Sequence, residues 1–102
     1  MTTAVEREVV LSATTPGTLA VSGVLSFDTA ASALREIQAA LAKGPVNTLD
    51  LAGVRHCDSA GLSCVLAVAA EAARGGDALK VINVPAGMQV LAQVCEVDRL
   101  LG

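Results

Sequence analysis

The residues best suited to chemistry lie next to one another in the middle of the chain, where His56, Cys57, Asp58 and Ser59 are consecutive. A serine or cysteine nucleophile needs a base that a separate part of the chain orients, together with a site for the oxyanion. Neighbours on an extended segment point in opposite directions. We therefore expect neither a Cys–His pair nor a Ser–His–Asp triad here, and we expect that the protein is not an enzyme.

Metal and nucleotide sites also lack the residues that they need. Cys57, Cys64 and Cys95 form no C-x-x-C pair and the chain has one histidine, whereas a zinc site needs about four ligands. A receiver-type phosphoacceptor at Asp58 would need Mg²⁺ held by further carboxylates, but residues 9–27 contain no acid. Neither a Walker-type glycine loop nor a G-x-G-x-x-G motif occurs. We expect reduced, unpaired cysteines, no metal and no cofactor.

Asp58 and Ser59 instead have the side chains that begin a helix. Aspartate and serine oxygens accept hydrogen bonds from the unpaired amides of a first helical turn. A negative charge at that end is also favourable, by about 0.3–1 kcal/mol, because it complements the helix dipole. A phosphate on Ser59 would benefit from both effects.

The elements before this helix are predicted as a hairpin and a first helix. Two β-prone segments, 8–13 and 18–22, flank the turn signal Pro16-Gly17. A helix should follow, capped by Asp28 or Thr29 and ended by Gly44-Pro45. Its apolar residues at helical spacing are Leu34, Ile37 and Leu41.

The second half of the chain alternates strands and helices. A short strand at 48–51 leads into the segment 54–58, and a helix from Ser59 to Arg74 follows, ended by Gly75-Gly76. A strand at 79–84, a helix at 86–95 with Pro85 at its first position, and a final segment at 97–101 complete the series. The predicted order is ββαβαβα, in one α/β domain spanning 1–102. Its mixed β-sheet should contain parallel pairs, with helices packed mainly on one face.

The helix that begins at Ser59 has an unusual outer side. A helical wheel places Leu62, Val65, Leu66, Ala69 and Ala73 on the face that packs on the sheet. The opposite face holds Ala60, Ser63, Cys64 and Ala67, and no charged residue occurs from 59 to 70. A surface helix ordinarily carries charges on its outer side. Either another part of the chain covers this face or a partner protein does, and we favour the partner.

Composition limits the classes of partner and the location. The net charge of −3 and a single aromatic residue, Phe27, are unsuited to binding nucleic acid, which needs basic and aromatic side chains. The longest charge-free stretch, 9–27, is interrupted by a turn signal, so we expect no membrane span. Residues 1–8 have no secretory-signal pattern. We expect a cytoplasmic protein.

These residues together resemble a known family, the STAS domain. The resemblance runs from Thr18 to Leu101, and its most specific part is the D-S-x-G-L start of the helix. It rests on Leu49-Asp50-Leu51, on His56-Cys57-Asp58-Ser59-Ala60-Gly61-Leu62, on Gly75-Gly76 and on the strand at 79–84. STAS domains occur in anti-sigma factor antagonists, in sulfate transporters and in the MlaB subunit of bacterial phospholipid ABC transporters.

Within the family, the C-terminal part of the chain looks most like MlaB. It reads N-V-P-A-G-M-Q-V-L-A at 83–92 and V-D-R-L-L at 97–101. MlaB proteins often read V-P-A-N-L-x-x-L-A and end on V-x-x-L-L, although Tyr-Gly is common where this chain has Cys95-Glu96.

The resemblance implies a partner and a role. A MlaB-like chain would bind the ATPase subunit (MlaF-like) of a phospholipid-transport ABC complex in a Gram-negative cell. It would be peripheral at the inner membrane, through that complex alone, and would help to maintain the lipid asymmetry of the outer membrane. The alternative is an anti-sigma factor antagonist that binds an anti-sigma factor kinase and is regulated by phosphorylation of Ser59. For either role, the predicted partner-binding residues are Arg55, His56, Asp58, Ser59, Ala60, Ser63, Cys64 and Ala67.

Overall fold

The computed structural model describes residues 9–13, 15–44, 46–76 and 78–101. The elements follow the predicted order ββαβαβα, and a short 3₁₀ helix ends the series. They are β1 (Val9–Ser12), β2 (Thr18–Leu25), α1 (Ala30–Lys43), β3 (Thr48–Cys57), α2 (Ser59–Arg74), β4 (Lys80–Ile82), α3 (Ala86–Val94) and the 3₁₀ helix (Asp98–Leu101). Glu8 and Pro45, which were expected in a strand and after a helix, lie outside the described residues.

The strands form one mixed sheet with the spatial order β1-β2-β3-β4. β1 and β2 are antiparallel, and the turn between them contains Pro16 and Gly17, as predicted. The amide of Thr18 donates to the Thr15 carbonyl at 3.0 Å, and Gly17 has a φ of 77°, a conformation that favours glycine. β2–β3 and β3–β4 are parallel, with α1 and α2 as the connections.

One face of the sheet carries the core. The buried residues of β2 are Leu19, Val21 and Leu25, while the residues between them remain partly accessible. The helices contribute Ala33, Ile37, Leu62, Val65, Val68, Met88 and Ala92 to the same apolar cluster as β2 and β3. Burial on one face only is typical of a sheet covered from one side. The α/β architecture with helices mainly on one face is therefore confirmed.

β3 differs from its predicted form, because it is one continuous strand of ten residues. Its pairing with β2 shifts register twice. Ser22 lies opposite Gly53 although Ala20 lies opposite Asp50, and Val24 lies opposite His56 although Gly23 lies opposite Val54. Each shift adds one residue to β3, as in a β-bulge. The first allows both Leu51 and Val54 to be buried, although they are three positions apart.

The start of α1 also differs from the prediction. Thr29 occupies the cap position, but neither its side chain nor that of Asp28 caps the helix. The Thr29 hydroxyl instead donates to the Val24 carbonyl at 2.8 Å and accepts from the Ser26 amide at 2.9 Å. It therefore fastens the β2–α1 turn to the end of β2. Pro85 similarly lies at the cap position of α3, one residue before the helix begins.

α2 buries a wider part of its surface than the helical wheel predicted. Cys64 is only 4% exposed and Val68 is fully buried, whereas Ala73, assigned to the sheet side, is exposed. The cause is the position of α2 between α1 and α3, both of which it contacts. Glu71 accepts a hydrogen bond from Gln38 of α1, and Cys64, seven residues before Glu71, lies on the same side of the helix. Placing Cys64 on the outer face was therefore wrong.

Gly61 in the first turn of α2 should be intolerant of a side chain. A Cβ atom there would lie 2.1 Å from the carbonyl oxygen of Leu25, so β2 or α2 would have to move. We expect Gly61→Ala to lower the free energy of unfolding by about 1–3 kcal/mol, as overpacking usually does, measured by urea denaturation. Gly87→Ala is the matched control, because no atom lies within 4 Å of a Cβ at that helical position. Equal stability of the two variants would contradict the close contact.

Candidate partner-binding surface

The carboxylate of Asp58 joins two parts of the chain that are distant in sequence. Its Oδ1 atom accepts hydrogen bonds from the amides of Ala60 at 2.9 Å and Gly61 at 3.1 Å, and so caps α2. Its Oδ2 atom accepts from the amide of Phe27 at 3.0 Å, across 31 positions of sequence. One side chain thus fixes the start of α2 and the β2–α1 turn relative to each other.

These bonds also favour the charged form of the Asp58 carboxylate. The Phe27 amide, followed by the amides of Gly61 and Ala60 and the nearby His56, lowers the pKa of Asp58, and burial opposes them only in part. Hydrogen bonds donated to a carboxylate favour its charged form. Asp58 therefore keeps its charge at a lower pH than a free aspartate would, and it serves as a fixed anchor for the amides around it.

The thiols nearby are poor nucleophiles. Burial raises the pKa of Cys57, and the negative charge of Asp58 raises it further. Burial likewise raises the pKa of Cys64. Because the thiolate is the reactive form, neither cysteine is activated in this environment.

Ser59 has a different position from the one expected of a cap. Asp58 is the N-cap residue, and Ser59 is the first residue of the helix itself. The side chain of Ser59 is exposed. Its hydroxyl is therefore accessible at the N-terminus of α2, where the helix dipole favours negative charge.

The exposed side of α2 is uncharged over its first three turns. It consists of Ser59, Ser63, Ala67 and Ala70, which we call the neutral surface. Among the residues that the structure describes, no element covers it. Ala60 is half-buried at its edge.

The remaining predicted site residues lie beside the neutral surface or beneath it. Arg55 and His56 are exposed near the end of β3, and Asp58 is half-buried between β3 and α2. Cys64 is buried against the core and offers a partner almost no area. The structure thus places seven of the eight predicted residues at accessible or half-buried positions on β3, at the helix start and along α2, and places Cys64 inside.

Phe27 belongs to this region, although it is not among the predicted partner-binding residues. Its side chain is 80% exposed, and its amide is bonded to Asp58 beside Ser59. One signal in the sequence could have identified it, because Phe27 is the only aromatic residue of the chain and lies in a polar turn, where a core residue is not expected.

A second concave region lies at the other end of α1 and α2. This groove has a volume of about 610 Å³ and is lined in part by Gln38, Leu41, Glu71, Gly75 and Leu79. The Gln38 amide donates to the Glu71 carboxylate at 2.9 Å, so these two polar groups satisfy each other. Gln38 and Glu71 are therefore paired across the groove and hold α1 and α2 together there.

The described part of the chain offers neither a cluster of metal ligands nor a membrane-spanning helix. There, no three histidine, cysteine, aspartate or glutamate residues lie close enough together to hold a metal ion. No helix within those same ranges has the length and apolar character to cross a bilayer.

The role of Asp58 can be tested by removing its oxygens one at a time. Asp58→Ala should lower the free energy of unfolding by about 2 kcal/mol, because a helix cap and a bond to a charged group are both lost. Asp58→Asn should cost about half as much, since one amide oxygen can still cap α2. Asp28→Asn is the matched control, because Asp28 is exposed and its carboxylate does not cap α1. Chemical denaturation at pH 7 provides the measurement.

The same variants predict a pH dependence. The pKa of Asp58 is lowered in the folded state, so its stabilisation is fully present above the pKa of the unfolded chain, about 3.9. It declines as the pH falls below that value towards the folded-state pKa. Between about pH 5 and pH 3, the wild type should therefore lose more stability than Asp58→Asn. Parallel curves for the two proteins would show that the carboxylate charge does not matter.

Comparison with known proteins agrees with this geometry. The solved structures that share the fold include two of SpoIIAA. The unphosphorylated anti-sigma factor antagonist is 19% identical, with a TM-score of 0.69 over 90% of this chain and 84% of the other. The phosphorylated form, described as a Bacillus cell fate determinant, is 20% identical, with a TM-score of 0.65 over 90% and 86%. No curated protein sequence matches the chain.

A family model described as "Mlab, STAS domain" matches residues 10–102. This range includes every element of the fold except the first residue of β1. The resemblance inferred from the helix start at Asp58 is therefore confirmed, and the chain belongs to the STAS domain family.

Proposed function

We propose that this protein is a MlaB-like, non-catalytic subunit that binds the ATPase of a phospholipid-transport ABC complex. It would act at the cytoplasmic face of the inner membrane and support the assembly or activity of the complex. It would thereby help to maintain the lipid asymmetry of the outer membrane. The observation that carries this proposal is the exposed neutral surface of α2. The family description and the MlaB-like sequence at 83–101 support the choice of partner.

The neutral surface differs from the exposed surface of α1, the helix that packs beside α2. On α1, the exposed residues include Arg35, Glu36 and Lys43. On α2, no charge occurs from Ser59 to Ala70. Charged residues are depleted where a protein interface is fully dehydrated. Small alanine and serine side chains also allow another backbone to approach closely. This contrast within one fold favours a docking role for α2.

The surrounding residues fit the edge of such an interface. Arg55 and His56 are exposed polar side chains next to the helix start. Interfaces typically have a polar rim around an uncharged centre. Asp58 would act as a positioning residue, because all the bonds described for its carboxylate are to amides of this chain.

A charge placed at the centre of the neutral surface should prevent binding. We expect Ala67→Arg and Ser63→Arg to reduce affinity for the ATPase subunit at least tenfold, or about 1.4 kcal/mol, because an arginine would be buried unpaired. The two subunits would be co-expressed and co-purified, and the affinity measured by calorimetry. Because both positions are exposed, the variants should unfold at the same temperature as the wild type.

Ala39→Arg is the matched control for this experiment. Ala39 is an exposed alanine on α1, so the substitution is the same but lies away from the neutral surface. It should bind the ATPase normally. If Ala67→Arg and Ser63→Arg also bind as well as the wild type, the interface lies elsewhere. If the wild type binds no such ATPase, the proposed function is wrong.

The accessible hydroxyl of Ser59 favours a second candidate function. In an anti-sigma factor antagonist, a kinase partner would phosphorylate this serine, and the solved relatives include a phosphorylated and an unphosphorylated form of such a protein. The phosphate would lie at the N-terminus of α2, which attracts anions.

Phosphorylation can be tested directly. Incubation with an anti-sigma factor kinase and ATP, followed by mass spectrometry, should modify the wild type and Ser63→Ala but not Ser59→Ala. Ser63 is the matched control because it is an exposed serine one turn further along α2. A chain that binds this kinase and not the ATPase would replace the leading proposal with the second. If the kinase neither binds nor phosphorylates the chain, the anti-sigma factor antagonist alternative is wrong.

A further inference from the structure

Phe27 is the most exposed of the large apolar side chains in the described part of the chain. It is 80% exposed, compared with 76% for Val94 and 62% for Leu100. Most of its ring therefore contributes nothing to the core of this molecule. Exposed aromatic side chains are enriched among the residues that dominate the energy of protein interfaces. The packing of this molecule therefore does not explain why an aromatic side chain is exposed at this position.

The turn that carries Phe27 is held in place at several points. The Phe27 amide donates to Asp58 at 3.0 Å, and the Thr29 amide donates to the Ser26 carbonyl at 3.0 Å. The Thr29 hydroxyl is bonded to the end of β2 through the Val24 carbonyl. A backbone that is already ordered loses little entropy when its side chain is immobilised by a partner. The ring is therefore presented on a rigid support.

The turn that carries the ring is continuous with the neutral surface. The same carboxylate that binds the Phe27 amide caps α2 at Ala60 and Gly61, immediately beside Ser59. Gly61 also packs against the Leu25 carbonyl, two residues before Phe27. The turn and the helix start are thus in direct contact, and a partner seated on Ser59 and Ser63 would reach Phe27.

We infer that Phe27 is the anchor residue of the neutral surface and inserts into an apolar pocket of the ATPase partner. This inference rests on the proposed function. The pocket should be lined by uncharged side chains and accept one benzyl group, with a flat region beside it that faces the small residues of α2. Phe27 would provide most of the binding energy, and the small residues would allow the close approach that brings the ring into its pocket.

Truncation of the ring should weaken binding without unfolding the protein. We expect Phe27→Ala to reduce affinity for the co-expressed ATPase subunit at least about tenfold, whereas Phe27→Leu, which keeps an apolar side chain, should lose less. The unfolding temperature should change little, because the ring is mostly exposed. Val94→Ala is the matched control, since Val94 is nearly as exposed but lies in the last turn of α3. It should bind normally.

A spectroscopic measurement can follow the ring itself. The chain contains one phenylalanine, so incorporation of 4-fluorophenylalanine gives a single ¹⁹F resonance. The resonance of the free protein should change between H₂O and D₂O, because the ring is in contact with solvent. On addition of the unlabelled ATPase, the resonance should move and this solvent effect should disappear. In the variant Phe27→Leu/Val94→Phe, the fluorine at position 94 should keep its solvent effect.

The outcomes separate this inference from the proposed function. If Ala67→Arg prevents binding while Phe27→Ala binds normally, the anchor role is wrong and the docking surface stands. The same conclusion follows if the ¹⁹F resonance keeps its solvent effect in the complex. If the wild type does not bind the ATPase, the proposed function fails and the anchor role falls with it.

Discussion

The carboxylate of Asp58 is the interaction on which the arrangement of this surface depends. It satisfies amides from the first turn of α2 and from the β2–α1 turn at the same time. Such amides would otherwise remain without a partner, because the first turn of a helix has no acceptors of its own. The three bonds stabilise the ionised carboxylate. Because one of them is donated by Phe27, the residue that caps the helix also determines where the neighbouring turn lies.

The backbone around Asp58 is adapted to this contact. Gly61 allows α2 to approach the end of β2 more closely than any other residue would permit. The two extra residues in β3 set the register in which its last residue, Cys57, lies opposite Leu25. The end of β3, the end of β2 and the start of α2 therefore meet at one point. The functional residues proposed here come from β3, from α2 and from the β2–α1 turn, so only the tertiary structure brings them together.

The position of α2 in the fold explains the character of its exposed side. As the middle of three helices, α2 is buried by the sheet beneath it and by a helix on either side, which leaves a narrow exposed strip. That strip has no charge over three turns, and Phe27 lies at its N-terminal end. The core is already complete without these residues, which leaves them available for the proposed contact with another protein.

Much of the fold and part of the site could be predicted from the sequence. The alternation of apolar segments with turn residues determined the order of strands and helices, and the pair Asp58-Ser59 marked the start of α2, because these are local properties of the chain. The tertiary structure decided the rest. Cys64 is buried because α2 lies between two other helices, and Asp58, which caps α2, also binds an amide 31 positions away. The position of Phe27 near this surface also depends on a contact between distant segments. Such contacts leave no periodic signal in the sequence.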